Sequence, residues 1–166
     1  MFRSIADFER SWAEQSANTE KAMRALTDAS LSQPVAPGGR TLGRIAWHIV
    51  QTLSEMGGAA GLKVDSHYDE QPLPTSAAAI ADAYAAGAKA VAKAVVTGWT
   101  DADLLGEIDM YGAKWTRGQT LFVLIAHEVH HRGQMTVLMR QAGLVVPGVC
   151  GPAKEEWAAF GMAAQE

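Results

Sequence analysis

The chain has 166 residues, of which 48% are hydrophobic and 19% are charged, as expected for one globular domain. Its net charge of −4, with only 14 Lys and Arg residues, argues against a nucleic-acid partner. One cysteine excludes an intrachain disulfide, and neither a signal-peptide pattern nor an apolar run of about 20 residues is evident. The sequence therefore predicts a soluble, cytoplasmic protein that does not bind membranes.

The N-terminal third of the chain contains two predicted helices. Apolar residues at helical spacing predict the first helix over residues 4–29, with Ser4 as its N-cap. Prolines and glycines at residues 33–39 predict a loop. A second helix is expected over residues 41–57 or slightly beyond. Its apolar stripe contains a histidine and consists of Leu42, Ile45, His48, Ile49, Thr52, Leu53 and Met56.

The middle of the chain changes from helical to extended character. A polar connection at residues 62–74 precedes an alanine-rich third helix predicted over residues 75–97. Residues 98–116 lack a helical period, and the alternation at residues 107–111 predicts a short strand or extended loop.

The fourth long helix is predicted to begin at a capping box of Thr116 and Gln119 and to end at Gly143. A short last helix is expected over residues 152–160, where a proline and two glutamates suit a first turn. Together these elements predict an all-α, up-and-down-type four-helix bundle formed by residues 1–166 as a single domain. It would include a short extra helix and a brief extended segment before the last long helix.

Three histidines fall on inward-facing helix positions. His127 and His131 are four residues apart, so they lie about 6 Å apart on one helix face, and His48 takes a similar position on the second helix. A single histidine here would more often be a core residue bonded to a carbonyl. Three in one small bundle instead predict a divalent metal site, with zinc or nickel preferred over copper or iron.

The same region also matches the H-E-x-x-H pattern of zinc proteases, in which Glu128 would be the general base. The extended form of that pattern fails, because Gln134 and Val137 stand where glycine and histidine are needed. Glu155 or Glu156 could instead supply a third ligand. This alternative is weaker, because the chain has almost no predicted strand that could hold a peptide substrate and because a protease-type site leaves His48 without a role.

Several residues near these histidines have two interpretations. Trp47, Tyr111 and Trp115 are candidates for lining the access to the metal, although each could equally pack in the core or at its rim. His130 lies about 100° around the helix from the face of the predicted ligands. An exposed position is favoured there over a role in supporting a ligand through a hydrogen bond. His67 lies in a polar connection and is expected to be solvated.

The run His127-x-x-His130-His131-Arg132-Gly133-Gln134 is followed by Leu138, Arg140, Gln141, Gly143 and Pro147. With Ala46-Trp47-His48-Ile49, it resembles the DinB/YfiT-like family over nearly the whole chain. The resemblance implies a four-helix bundle, often a homodimer, that binds a metal through the positions of His48, His127 and His131. Members include transferases and isomerases that use low-molecular-weight thiols such as bacillithiol or mycothiol, and many have no established reaction.

Arg132 and Gln134 belong to this run and are expected to support the ligands or the fold. For Arg132 a structural role is favoured, with pairing on the bundle surface as the other possibility.

Three functions fit these features. The first is a metal-dependent transferase that acts on a small molecule with a low-molecular-weight thiol, since Cys150 is placed in a turn away from the histidines. The second is a metal-dependent hydrolase that activates water with Glu128 as its base. The third is a non-enzymatic, stress-related protein in which the metal only stabilises the bundle. Three ligands favour reactivity, because a structural zinc site normally has four.

Overall fold

The computed structural model describes residues 1–66, 68 and 70–164. Its four long helices and one antiparallel hairpin confirm the predicted all-α four-helix bundle. The helices are α1 (Ile5–Arg24), α2 (Leu42–Ala59), α3 (Ala77–Gly98) and α4 (Arg117–Gln141). The hairpin pairs β1 (Glu107–Met110) with β2 (Ala113–Thr116) directly before α4.

Each long helix begins at a residue whose hydroxyl accepts a hydrogen bond from the amide three residues further on. This contact satisfies a backbone donor that the helix itself leaves unpaired, and so fixes where the helix starts. The four caps are Ser4, Thr41, Ser76 and Thr116. The start of α4 at Thr116 sets the rotation at which its later residues, including the histidines, face the bundle.

The first and last predicted helices are shorter than the sequence pattern indicated. Helix α1 ends at Arg24 rather than residue 29, because Thr27 and Ser30 form a reciprocal capping box that opens a 3-10 helix, Asp28–Ser32. Near the C-terminus, only the 3-10 helix Trp157–Phe160 forms within the predicted residues 152–160. Before it, the Glu156 carboxylate accepts from the amides of Gly148 and Ala153, which holds this segment as a turn.

The predicted extended segment is the first strand of the hairpin. Its turn lies at Tyr111 and Gly112, whose φ angles of 51° and 80° suit a tight two-residue hairpin turn. The exposed Tyr111 hydroxyl donates to the Glu55 carboxylate on α2 at 2.8 Å, which attaches the hairpin to the bundle.

The main helix contacts pair α1 with α3 and α4, and α2 with the same two helices. The core between them contains large side chains that are at most 2% exposed, including Phe8, Trp12, Trp47, Ile80 and Met135. Within the described residues, no helix is both long and apolar enough to span a bilayer. The adjacency of α2 and α4 brings the face of His48 against the face of His127 and His131.

Candidate metal centre

The three predicted ligands lie together between α2 and α4. The Nε2 atom of His127 is 3.3 Å from Nε2 of His48 and 3.1 Å from Nε2 of His131. One ligand atom from each of the three residues falls within 4.8 Å of the others. His131 is buried, and the other two are half-buried. The clustering predicted from the spacing of the histidines is therefore confirmed.

The chemistry of this cluster fits a divalent cation. The Nε2 atom of His127 has two imidazole nitrogens as neighbours, yet a neutral imidazole carries a proton on only one of its two nitrogens. At most one of the two contacts is therefore a good hydrogen bond, whereas a cation would attract all three lone pairs. Nitrogens bonded to tetrahedral zinc at about 2.0–2.1 Å lie about 3.3–3.4 Å apart, close to the observed spacing.

A neighbour on the same helix orients one of the three rings. The Nδ1–H of His131 donates to Oε1 of Gln134 at 2.8 Å, so the Nε2 lone pair points into the cluster. The amide of Gln134 in turn donates to Nε2 of the exposed His130 at 3.2 Å. His130 is therefore exposed, as the sequence favoured, and contacts the residue that orients His131.

Burial keeps the three imidazoles in the neutral form that binds metals. Burial first, and then the charges of the other histidines and of Arg40, lower the pKa of both His48 and His127 to about 4. Burial also lowers the pKa of His131, partly offset by its hydrogen bond to Gln134. The cluster is thus ready to accept a cation at neutral pH.

Metal binding is expected to resist mild acid for this reason. Between pH 7 and pH 5.5, the apparent Kd for zinc should rise by less than about tenfold, because protons compete weakly with groups of low pKa. Three histidines of ordinary pKa would weaken binding several-hundredfold, roughly, over the same range. Competition with a chromophoric chelator at each pH measures this dependence, and a change of the larger size would contradict the lowered pKa values.

Glu128 lies in the core on a different side of α4 from the cluster. It is 1% exposed, and its Oε1 accepts from the Thr19 hydroxyl on α1 at 2.7 Å. Burial raises the pKa of Glu128 to about 7, against the opposing effects of the neighbouring Thr19, Tyr84 and Arg132 side chains. These contacts are directed towards α1, so its use as a general base at the metal stays a prediction.

Arg132 completes a buried polar network with Glu128. The Arg132 side chain is 1% exposed, so the predicted alternative of surface pairing is wrong and its role is structural. Its guanidinium donates to the Thr19 hydroxyl at 2.9 Å and to the side-chain oxygen of Gln15 at 2.6 Å. The Tyr84 hydroxyl and Glu128 Oε2 are also buried here, without a hydrogen-bond partner among the described residues.

The sequence did not identify Thr19, Gln15 and Tyr84 as parts of this network. Glu128 and Arg132, four residues apart and each one residue after a ligand, were the available indication of a second polar face on α4.

The three aromatic candidates occupy different environments. Trp47 is buried at 1% exposure, and its indole donates to the Gln71 carbonyl at 3.0 Å, so it holds the segment after α2 against the bundle. Tyr111 lies on the hairpin and packs edge-on against Trp115 at 5.8 Å. Whether any of the three contacts a ligand stays a prediction.

The residues proposed for a protease-type site are engaged elsewhere. The Glu155 carboxylate pairs with Arg140, and Glu156 binds the amides of its own turn and Lys21. The third residue of the cluster is His48, which the protease-type pattern leaves out. His67, expected to be solvated, lies outside the described residues.

Comparison with known proteins supports the family resemblance that the sequence suggested. A family model described as the DinB family matches residues 1–166. The "Uncharacterized protein YrdA" of Bacillus subtilis (strain 168) is 46% identical over 164 residues, which cover 99% of this chain and 98% of that protein.

Two solved structures show the same architecture. A DinB-like protein from Bacillus cereus ATCC 10987 has a TM-score of 0.86 and 47% identity, over 89% of this chain and 99% of that chain. The DinB-like protein YjoA from Bacillus subtilis has a TM-score of 0.68 at 18% identity, covers 86% of this chain and 97% of that chain, and shows the shared fold alone. With the family model matching from the first residue to the last, this chain belongs to the DinB family.

Proposed function

We propose that the protein binds zinc or nickel through His48, His127 and His131 and transfers a low-molecular-weight thiol to a small electrophilic substrate. The observation that carries the proposal is the convergence of three neutral Nε2 atoms, with spacings of 3.1 and 3.3 Å between neighbours. Three protein ligands, one fewer than a structural zinc site normally has, leave room for an external ligand.

The ligand set favours an incoming anion. Neutral imidazoles donate lone pairs without adding negative charge, so the full charge of the ion remains. A bound divalent ion lowers the pKa of a coordinating thiol and thereby supplies a thiolate nucleophile. The protein contributes orientation, because Gln134 fixes the ring of His131 and the packing of α2 on α4 brings His48 opposite it.

The sulfur in this proposal comes from outside the chain. Cys150 is the only cysteine in the sequence, and it lies exposed in the segment after α4. There it borders a cavity together with Val137, Arg140 and Pro147. It is not part of the three-histidine cluster.

A hydrolase that activates water is the main alternative. It requires a base close to the metal, and Glu128 was the residue nominated. The Glu128 carboxylate instead accepts from Thr19 and lies beside Arg132, on the side of α4 that faces α1. This placement favours the thiol route.

Cobalt substitution separates the proposed activities. The cobalt-loaded protein is titrated with a panel of bacterial low-molecular-weight thiols, and the expected result is a sulfur-to-cobalt charge-transfer band in the near ultraviolet. The variant Glu128→Gln should keep thiol transfer to an electrophile. No band from any thiol, with a thiol-free hydrolysis that Glu128→Gln abolishes, would establish the hydrolase. If no thiol produces the charge-transfer band and no hydrolysis is detected, the remaining function is a non-enzymatic one in which the metal only stabilises the bundle.

We also propose that the protein is a homodimer. The support is the resemblance to a family whose members are often homodimers. The alanine-rich helix α3 adds no separate support, because it buries many of its alanines, including Ala81 and Ala88, inside the bundle. Light scattering should give twice the chain mass of 17.7 kDa across a wide concentration range. A mass of one chain throughout that range would rule out this assembly.

A further inference from the structure

Helix α4 has apolar side chains on nearly all of its faces. Towards the bundle it buries Leu121, Leu124 and Met135, each at most 3% exposed. On the opposite side it carries Phe122 and Val137, which are 49% and 58% exposed. A helix with a single apolar stripe is held at one rotation, because only that stripe gains free energy by burial. Burial of apolar surface therefore fixes the rotation of α4 less firmly than it would for an amphipathic helix.

The rotation of α4 determines where its two histidines lie relative to α2. His127 and His131 both project from α4, whereas His48 belongs to α2. An atom about 6 Å from a helix axis moves by about 1.6 Å when the helix turns by about 15°. The groups of a functional site must be held within about 0.5 Å, a displacement that a turn of about 5° already produces. The close approach of the three rings therefore requires a precise rotation of α4.

A buried polar network joins α4 to α1. Thr19 on α1 is fully buried, and its hydroxyl donates to Oε1 of Glu128 at 2.7 Å and accepts from the Arg132 guanidinium at 2.9 Å. The same guanidinium donates to the carbonyl of Gln15 at 2.9 Å and to its side-chain oxygen at 2.6 Å. A buried polar group that loses its partner costs about 1–3 kcal/mol. Rotations of α4 that break these bonds are therefore disfavoured.

The network and the histidines share the same stretch of α4. Glu128 and Arg132 each follow a histidine of the cluster by one residue, which places them about 100° further around the helix. Side chains of one helix turn together, so a rotation that broke the bonds to Thr19 would also displace both histidines. Since α4 packs against α1 as well as α2, the bonds on one side restrict the positions of the rings on the other.

We propose that the network of Thr19, Glu128 and Arg132 is a positioning device for the metal site. It fixes the rotation of α4 and thereby the positions at which both α4 histidines face α2. The inference rests on the proposed function, because the histidines it positions are the proposed metal ligands. The three residues act on the site through the helix and are not catalytic. Thr19 is the central member, since its hydroxyl contacts both of the others.

Thr19→Val tests the proposal with the smallest change. Valine keeps the branched shape of threonine and lacks the hydroxyl that joins Glu128 to Arg132. Thr19→Ser is the rescue variant, because serine restores the hydroxyl. Val95→Ala is the matched control for lost stability. Val95 is fully buried on α3, about 16 Å along that helix from Tyr84, the α3 residue beside the network.

The first readout uses cobalt-loaded protein at a temperature where circular dichroism shows every variant folded. Thr19→Val should raise the Kd for cobalt by about tenfold or more, near the lower end of the range for residues that support a ligand. Its visible absorption bands, which report how cobalt is coordinated, should change in intensity. Thr19→Ser and Val95→Ala should keep the affinity and the bands of the parent protein, although Val95→Ala unfolds more easily.

The second readout uses metal-free protein. With isotopically labelled histidine, NMR correlation spectra record the ring nitrogens of each histidine separately. Thr19→Val should shift the ring signals of His127 and His131, because both rings lie on the helix whose rotation is released. Val95→Ala and Thr19→Ser should leave these signals in place.

The outcomes separate this inference from the proposed function. Unchanged cobalt affinity, bands and ring signals in Thr19→Val would overturn the positioning role and leave the metal site intact. Equal changes in Thr19→Val and Val95→Ala would also overturn it, because lost stability alone would then explain them. If the parent protein bound no cobalt, the proposed function would fail. In that case a shift of the ring signals in Thr19→Val would still support the positioning role, and its absence would overturn it.

Discussion

His48→Ala is expected to remove most of the bound metal, although His48 lies outside the H-E-x-x-H run. The variant leaves two imidazoles on one helix and no donor from α2. Affinity should fall by more than about 100-fold, because residues that merely orient a ligand account for about 10–100-fold. Elemental analysis of untagged protein after dialysis, followed by chelator competition, measures the loss. His127→Ala and His131→Ala should behave alike.

His130→Ala is the matched control on the same helix. His130 contacts the cluster only through the amide nitrogen of Gln134, and the bond from His131 to the Gln134 oxygen survives its removal. Affinity should therefore change by less than about tenfold, below the 10–100-fold typical of residues that orient a ligand directly. Full metal content in His48→Ala would disprove the three-histidine site and favour a protease-type site with a downstream glutamate ligand.

Arg132→Met is expected to destabilise the fold by about 1–3 kcal/mol, the range for leaving buried polar groups without a hydrogen-bond partner. The substitution approximates the length of the arginine stem but leaves Glu128 buried without a nearby cation. It also removes the donors to Thr19 and to the Gln15 carbonyl. Urea unfolding of metal-free protein measures the free energy of unfolding without a contribution from the ion. A loss below about 1 kcal/mol, the scale of an exposed pair, would contradict this account of the network.

Glu128→Gln provides the companion measurement. Burial raises the pKa of Glu128 to about 7 in the folded chain, above its ordinary value of 4.5. As the pH rises between these values, the unfolded chain releases this proton before the folded chain does, so this group lowers the stability of the parent protein. Glutamine has no proton to lose. The variant should therefore gain stability relative to the parent from about pH 4.5 to pH 7, and a constant difference would contradict the raised pKa.

The sequence predicted the clustering of the three histidines because helical spacing is a local property. His127 and His131 face the same way on any regular helix, and the apolar stripe around His48 indicated the buried side of α2. The family resemblance pointed to the same three positions. The convergence of the rings depends further on the packing of α2 against α4, and four-helix bundles pack facing helices in this way.

The buried network escaped prediction because its partners are distant in the sequence. Thr19 lies 109 residues before Glu128, and no local period records which helices become neighbours. The end of α1 was missed for a different reason, since Thr27 and Ser30 stop the helix through side-chain bonds while the apolar pattern continues to Leu26. At the C-terminus, two glutamates typical of a helix start instead bind other partners.

The placement of the three histidines on α2 and α4 has a consequence for chain synthesis. His48 emerges from the ribosome early, but the cluster needs His127 and His131, which follow 79 and 83 positions later in a chain of 166 residues. Domains generally fold as units during synthesis, so the cluster forms only when α4 has docked against α2. An ion held by all three residues is therefore acquired late, by chains whose bundle is already assembled.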